Sequence, residues 1–171
     1  MPTLHLLTGA PGAGKSTLIA HLAAYPFAAV DFDELIDPVG DLLGMDVRSS
    51  SASRVWPGYN RLWVEITALL LRAGEPVLVM CPLTPDEWKH ATAGAGNVPE
   101  AVWGRLDCDD ADRRARLAAR GWDASQIESA LADAAELRGT VEREFTTSGR
   151  SAAGTATDLA AWVGSPRSTT P

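Results

Sequence analysis

A glycine-rich segment near the start of the chain has the clearest chemical pattern. Residues 9–17 contain G-x-x-x-x-G-K-S between an apolar run and a second apolar pattern with helical spacing. A strand, a glycine-rich turn and a helix in this order let backbone N–H groups and a helix N-terminus surround phosphate oxygens. Lys15 is one of two lysines beside thirteen arginines, which argues against a chance match. The predicted nucleotide-binding residues are Gly9, Ala10, Pro11, Gly12, Ala13, Gly14, Lys15, Ser16 and Thr17.

Lys15 and Ser16 have distinct predicted tasks within this segment, which we call the phosphate loop (residues 9–17). The ammonium group of Lys15 would reach the β- and γ-phosphates of a nucleotide. The hydroxyl of Ser16 would bind the Mg²⁺ ion that accompanies those phosphates.

Two aspartates follow the next apolar run, residues 27–30. In open α/β sheets, ligands gather beyond the carboxyl ends of the strands, so Asp31 and Asp33 are expected to face the bound phosphates. One carboxylate would accept the proton of a substrate hydroxyl, and the other would hold a water of the Mg²⁺ shell. The alternative for Asp33 is a helix N-cap, because Glu34 and Leu35 follow it. We predict Asp33 as catalytic and Asp31 as metal-binding.

Arginines recur at helical spacing after a fourth predicted strand, residues 102–108. Arg113, Arg116 and Arg120 are expected to lie along one helix face in a movable lid, residues 109–125. Such a lid would neutralise a transferred phosphoryl group and exclude water. We predict that all three arginines bind ATP and that Arg116 and Arg120 are catalytic. The alternative is a solvated surface on which neighbouring aspartates pair with the arginines.

An aromatic and arginine-rich cluster at residues 54–63 is the candidate acceptor site. Large apolar walls with a few polar groups are typical of small-molecule pockets. The alternative is a helix start that packs its large side chains into the core. With Asp33, the predicted acceptor-binding residues are Arg54, Trp56, Tyr59 and Arg61.

A turn near the end of the chain is the candidate adenine site. Thr147, Gly149 and Arg150 follow a short predicted strand, and in this topology such a turn lies beside the base of the nucleotide. The alternative is ordinary turn chemistry, which favours the same residue types.

The elements that position these residues alternate between strands and helices. Apolar runs at residues 76–80 and 102–108 are typical of buried parallel strands, and helical spacing covers residues 62–73, 126–137 and 152–163. The prediction is a three-layer α/β sandwich with a mostly parallel sheet of about five strands. One domain, residues 1–164, is expected to precede a flexible tail, residues 165–171.

Composition excludes several classes of protein. The net charge of −7 over 171 residues argues against nucleic acid as a main partner. No apolar stretch reaches the length of a membrane span, and Met1 directly precedes a core strand, so we expect no signal peptide and a cytoplasmic location. The two cysteines form no disulfide framework, and the three histidines lack metal-ligand spacing.

Taken together, these motifs resemble those of the small P-loop kinases, and most of all the chloramphenicol phosphotransferase group. The resemblance rests on the phosphate loop and on residues 33–36, 71–74, 106–109 and 146–148, while residues 116–121 are similar to the lid of gluconate kinases. It implies that Asp33 is the general base, that Lys15, Ser16 and lid arginines serve ATP and Mg²⁺, and that residues 147–150 lie near adenine. The chain departs from the family pattern at residues 80–81, where Met-Cys replaces an acidic strand end, and at residues 48–61, which have no counterpart.

The predicted function is transfer of the γ-phosphoryl group of ATP to a hydroxyl of a small molecule, such as an antibiotic or another natural product. One alternative is a nucleoside or nucleotide kinase, in which the aromatic cluster would stack on a base. Another is an ATPase or switch that regulates a protein partner. A GTPase is disfavoured because the sequence has no N-K-x-D guanine signature.

Overall fold

The computed structural model describes residues 2–36, 40–42, 44–47, 49, 51–96 and 98–164. The strands within these ranges are β1 (Leu4–Thr8), β2 (Ala28–Asp31), β3 (Asp41–Leu42), β4 (Met45–Asp46), β5 (Val77–Cys81), β6 (Ala101–Asp107) and β7 (Glu144–Thr146). The α-helices are α1 (Lys15–Leu22), α2 (Trp56–Arg72), α3 (Pro85–Thr92), α4 (Asp110–Ala119), α5 (Ala124–Thr140) and α6 (Ala152–Gly164). The predicted tail, residues 165–171, lies outside the described residues.

A five-stranded sheet forms the centre of the fold, in the order β2-β5-β1-β6-β7. Every pairing in it is parallel. The predicted α/β class and parallel sheet are therefore confirmed. Because parallel strands end at the same edge, the carboxyl ends of β1, β2, β5 and β6 meet there, and so do the segments that follow them.

Helices cover both faces of the sheet, because the alternating side chains of its strands face opposite ways. Leu4 and Leu6 of β1 pack in one core beneath α2 and α3, together with Val77 and Val79. Leu7 packs in a second core, beneath α1 and α6. The continuous apolar runs of β1 and β5 thus bury both of their faces, as expected of inner parallel strands.

Helix α2 begins at Trp56, six residues before the predicted start at residue 62. Pro57 is compatible with this earlier start, because a proline in the first turn removes an N–H that has no partner within the helix. Tyr59 and Trp63 are buried in the core beneath the helix. Residues 56–63 of the cluster are therefore part of α2, and Tyr59 and Trp63 pack into the core as the alternative interpretation predicts, whereas Arg54 precedes the helix.

The segment before α2 contains a short antiparallel pair, β3 and β4, and a 3₁₀-helix at Ala52–Arg54. The sequence predicted a loop for residues 48–54, of which residues 48 and 50 lie outside the described ranges. Among the helices of the described residues, none is long and apolar enough to cross a membrane.

Candidate active site

The phosphate loop connects the end of β1 to the start of α1. Gly12 and Gly14 have φ angles of 83° and 104°, a backbone region that favours glycine over residues with a side chain. The N–H of Gly9 donates to the carbonyl of Cys81 at 3.2 Å, which ties the loop to the end of β5. The loop therefore has the glycine-dependent turn that the motif predicts, directly before a helix N-terminus.

The side chain of Lys15 folds back over the loop, and its ammonium group donates to the carbonyl of Gly9. Burial lowers the pKa of this ammonium group, and the carboxylates of Asp33 and Asp31 act in the opposite direction. The structure thus places Lys15 and both predicted aspartates in one electrostatic environment.

Asp31 ends β2 and caps a 3₁₀-helix, Phe32–Leu35. Its Oδ1 accepts from the N–H of Asp33 at 3.1 Å, and Glu34 Oε2 accepts from the N–H of Asp31 at 2.8 Å. This reciprocal pair is a capping box. The alternative in which Asp33 is the N-cap is therefore wrong, because Asp31 takes that place and leaves the Asp33 side chain exposed.

The second oxygen of Asp31 is in a different situation. Asp31 Oδ2 is buried and has no hydrogen-bond partner among the described residues. Burial raises the pKa of Asp31 to about 6, and the nearby charge of Asp33 adds to the effect. A buried, unsatisfied carboxylate oxygen of this kind is costly unless a ligand or its water shell satisfies it.

A cavity of about 360 Å³ opens beside the phosphate loop, and we call it the acceptor cavity. Ala10 and Pro11 of the loop form part of its wall, together with Asp33. Trp56 and Tyr59 also line it, whereas Arg54 and Arg61 are exposed and are not among its lining residues. The remaining lining residues are Phe32, Ile36, Asn60, Pro82, Leu83, Thr84, Glu87, Asp133, Glu136 and Leu137.

Tyr59 has a fixed orientation in the wall of this cavity. Its hydroxyl donates to the carbonyl of Phe32, and its ring meets the ring of Phe32 edge-on, with centroids 6.0 Å apart. Burial raises the pKa of Tyr59, which keeps the hydroxyl protonated as a donor. Tyr59 therefore presents its ring, rather than its hydroxyl, to the cavity.

The three predicted lid arginines have different surroundings. Arg113 is fully buried, and its guanidinium donates to Asp107 and to the carbonyl of Pro11, each at 2.5 Å. Arg116 is partly exposed and donates to the carbonyl of Gly12 at 3.1 Å. Arg120 follows the last residue of α4 and is exposed. The expectation that the three arginines share one lid face is thus wrong for Arg113, because a buried carboxylate holds it inside the protein.

Asp107 lies within residues 106–109 of the resemblance, but the sequence predicts no role for it. Its carboxylate accepts from Arg113 and also from Arg138 of α5, whose Nε lies 2.6 Å from Oδ2. Burial alone would raise the pKa of Asp107, but the bonds from Arg138 and from the N–H of Cys108 outweigh it and lower the pKa. The available signal was an acidic residue at the end of an apolar strand, which is the position that Asp31 also occupies.

The predicted adenine turn contacts the phosphate loop through Thr147. The Thr147 hydroxyl donates to the carbonyl of Ala13 and accepts from Arg116, with both distances at 2.9 Å. Gly149 has a φ of 66°, and Arg150 pairs with Asp158 on α6 at the surface. The structure therefore brings Thr147 to the loop, while Arg150 is engaged elsewhere.

The end of β5 carries no carboxylate. Cys81 is fully buried there, and burial raises the pKa of its thiol to about 12, so the side chain is neutral. No group of three or more potential metal-ligating side chains occurs in the described part of the chain. A Mg²⁺ ion bound with a nucleotide needs only one or two protein ligands, because phosphate oxygens and water complete its shell.

Comparison with known proteins agrees with this fold. The family model described as "AAA domain" matches residues 4–142. No curated protein matches the sequence. Among solved structures, the tunicamycin resistance protein of Deinococcus radiodurans is similar, with a TM-score of 0.66 and 16% identity over 96% of each chain.

Two further structures share the fold. Shikimate kinase from Acinetobacter baumannii has a TM-score of 0.64 and 15% identity over 95% of this chain and 93% of its own. A gluconokinase from Sinorhizobium meliloti 1021 has a TM-score of 0.62 and 20% identity over 95% and 91%. The chain therefore belongs to the AAA domain family and has the fold of the small P-loop kinases.

Proposed function

We propose that this protein transfers the γ-phosphoryl group of ATP to a hydroxyl group of a small molecule. The observation that carries the proposal is the acceptor cavity, because the same space is lined by the phosphate loop and by the exposed carboxylate of Asp33. A phosphotransferase needs this proximity, since the acceptor oxygen must approach the γ-phosphorus in line with the leaving oxygen.

On the acceptor side, Asp33 orients the hydroxyl and takes its proton as the oxygen attacks. A general base must be within hydrogen-bond reach of the proton that it abstracts, and the place of Asp33 in the cavity wall supports this role. The aromatic side chains of Trp56 and Tyr59 support the carbon skeleton of the acceptor. Arg54 and Arg61 are exposed outside the cavity lining and take no part in this scheme.

On the nucleotide side, the residues of the phosphate loop donate backbone N–H groups to the phosphates, and Lys15 neutralises charge on the γ-phosphoryl group. Its ammonium group would exchange the carbonyl of Gly9 for a phosphate oxygen when ATP binds. Arg116 and Arg120 approach from the lid, residues 109–125. The turn with Thr147 and Gly149 lies beside adenine, while Arg150 stays paired with Asp158. Arg113 acts from beneath the loop, through the carbonyl of Pro11.

The residues present fit a Mg²⁺ ion. Ser16 is exposed at the start of α1, and the unsatisfied Oδ2 of Asp31 can accept a hydrogen bond from a metal-bound water. When bound, the ion would neutralise charge that develops on the phosphates. The neutral thiol of Cys81 takes no part in this scheme.

The test is incubation with ATP, Mg²⁺ and a panel of nucleosides, sugars and hydroxylated antibiotics, followed by mass spectrometry. We expect one panel class to gain the mass of one phosphate. Lys15→Ala serves as the blank, and Lys89→Ala, which removes the other lysine of the chain at an exposed site on α3, is the matched control that keeps activity. Lys15-dependent formation of ADP with no phosphorylated acceptor would instead favour an ATPase or switch.

A further inference from the structure

The charge of the acceptor cavity points to the chemical class of the acceptor. We propose that the acceptor is a hydroxyl compound that carries at least one protonated amine, such as an amino sugar or an aminocyclitol. This inference rests on the proposed function, because it concerns the specificity of the same site.

Four carboxylates line the cavity, and they come from three different elements. Asp33 belongs to the 3₁₀-helix after β2, Glu87 to α3, and Asp133 and Glu136 to α5. The lining residues include neither lysine nor arginine. The ion pairs between described residues also leave these four carboxylates without a cationic partner. A ligand in this space therefore meets an excess of negative charge, which Lys15 offsets at Asp33 alone.

The arginines around the loop form their hydrogen bonds with other groups, and the charge of Arg113 offsets only part of the effect of burial and Glu87 at Asp133. The guanidinium of Arg113 is bonded to Asp107 and Pro11, and that of Arg116 to Gly12 and Thr147. An acceptor with a carboxylate or phosphate group would thus bring a further negative charge to a wall without a positive partner. This argues against a nucleotide as the acceptor.

The carboxylates are too dispersed to form a metal site, since no described group of three potential ligands converges on one point. The charge of Glu87 nevertheless acts on Asp133: burial first and Glu87 second raise the pKa of Asp133, while Arg113 acts in the opposite direction. Dispersed carboxylates that repel one another are suited to separate donors on one ligand. Amines and hydroxyls on a ring provide donors of this kind.

The aromatic wall is a second, independent feature that favours a cation. Phe32, Trp56 and Tyr59 line the same cavity as the four carboxylates. Aromatic faces attract ammonium groups, most strongly where water is excluded. Within this arrangement Asp33 receives the reacting hydroxyl. Asp133 and Glu136, three residues apart on one face of α5, receive the amine.

The test uses three probes that share one carbon skeleton and differ in charge: glucosamine, N-acetylglucosamine and glucuronate, extended by a set of diamino- and triaminocyclitols. Binding to the full chain is measured by calorimetry with a non-hydrolysable ATP analogue and Mg²⁺, and transfer is measured by mass spectrometry. We expect aminated probes to bind at least about 10-fold more tightly than their N-acetylated forms, as a hydrogen bond to a charged group predicts. Glucuronate is expected to bind most weakly.

The double variant D133N/E136Q should reduce this preference about 10- to 100-fold and leave the affinity for ATP unchanged. Glu128→Gln is the matched control, because Glu128 is an exposed carboxylate on the same helix that pairs with Arg114 outside the cavity. This control should keep the preference for amines.

The possible outcomes separate the two proposals. Three outcomes would overturn the inference. Neutral or carboxylated probes would bind as tightly as aminated probes or more tightly, no aminated probe would bind at all, or D133N/E136Q would keep the preference for amines. Phosphoryl transfer to a neutral acceptor would also overturn the inference, but it would support the proposed function. Lys15-dependent ADP formation with no acceptor phosphorylated would overturn both.

Discussion

The two sides of the active-site cleft differ in how their charges are compensated. On the nucleotide side, Arg113 and Arg116 are bonded to loop carbonyls, and Asp107 accepts from Arg113 and Arg138. On the acceptor side, the carboxylates of the acceptor cavity have no cationic partner among the described residues. Charge on the nucleotide side is thus used to hold the protein together. On the acceptor side it remains available to a ligand.

This difference suggests a division of tasks within one fold. Phosphate recognition depends on backbone N–H groups whose positions must be precise, and a network of buried bonds can fix a backbone. In the proposed function, acceptor recognition depends on side chains of α2, α3 and α5 that line the acceptor cavity, away from the backbone of the phosphate loop. Variants on the two sides should therefore fail in different ways.

The largest effect is expected from Asp33→Asn on the acceptor side. Loss of the general base should reduce kcat about 10²- to 10⁴-fold. The affinity for ATP should remain within about threefold, because Asn keeps the shape of the side chain and Asp33 makes no bond to the loop. Phosphoryl transfer and ATP binding are measured separately, by mass spectrometry and calorimetry. Unchanged turnover in this variant would remove Asp33 from the mechanism.

The second largest effect is expected from Asp107→Asn on the nucleotide side, and it is a loss of folding stability. Arg113 is fully buried, so loss of the carboxylate leaves a buried guanidinium without its ionic partner. The free energy of unfolding should fall by about 3–5 kcal/mol, and the affinity for ATP should fall with it. Urea denaturation and calorimetry measure the two quantities.

Asp158→Asn is the control for Asp107→Asn, because Asp158 pairs with Arg150 at the surface, where the change should be within about 0.5 kcal/mol. The pH dependence provides a second check. Because the pKa of Asp107 lies below its ordinary 3.8 in the folded state, its contribution is complete above pH 3.8 and is lost as pH falls through the folded pKa. Equal stability of the two variants would contradict the assigned role of the network.

The sequence predicts the nucleotide side better than the acceptor side, for a physical reason. The phosphate loop is a local motif, in which residues 9–17 contain both the glycines of the turn and the lysine. Continuous apolar runs likewise identified β1 and β5 without knowledge of their neighbours. Each of these patterns lies within one short segment, so it can be recognised from a single sequence.

The network around Asp107 and the wall formed by α5 depend on contacts between distant segments. Asp107 and Arg138 are 31 residues apart, and Arg113 meets Pro11 across 102 residues. Helical periodicity predicted the amphipathic helix that became α5. Periodicity could not show that Asp133 would line a cavity with Asp33, because only the packing of the helix decides this.

A smaller effect, of opposite sign in stability and activity, is expected from Asp31→Asn. Burial raises the pKa of Asp31 from 3.8 to about 6, so its charged form opposes folding. This cost is absent below pH 3.8, grows between pH 3.8 and 6, and is complete above pH 6, because the folded state binds the proton more tightly. Asn can keep the N-cap bond to Asp33. At pH 7.5 the variant should gain about 1–3 kcal/mol in free energy of unfolding.

The same variant should need more Mg²⁺ for phosphoryl transfer, because the charged oxygen assigned to the Mg²⁺ shell becomes part of a neutral amide. Urea denaturation at pH 4 and pH 7.5 measures the gain in stability, which should nearly vanish at the lower pH. The Mg²⁺ concentration needed for half-maximal transfer is the activity readout. A variant less stable than the parent at both pH values would show that the charge of Asp31 is well compensated in the folded protein.

The smallest effects are expected from Gly12→Ala and Gly94→Ala. Comparing the two variants separates backbone strain from the packing of α4 on the phosphate loop. Gly12 and Gly94 both have a φ of 83°, so alanine at either position should cost about 1 kcal/mol of unfolding free energy. A Cβ at Gly12 would lie 3.2 Å from Arg113 Cγ and from Leu117 Cγ, whereas a Cβ at Gly94 would have nothing within 4 Å. Gly12→Ala should therefore also weaken ATP binding several-fold, because α4 must shift away from the loop, while Gly94→Ala should not. Urea denaturation and ATP titration of both variants test this. If both variants bind ATP equally well, the packing of α4 on the loop does not control nucleotide affinity, and the bonds from Arg113 and Arg116 serve stability alone.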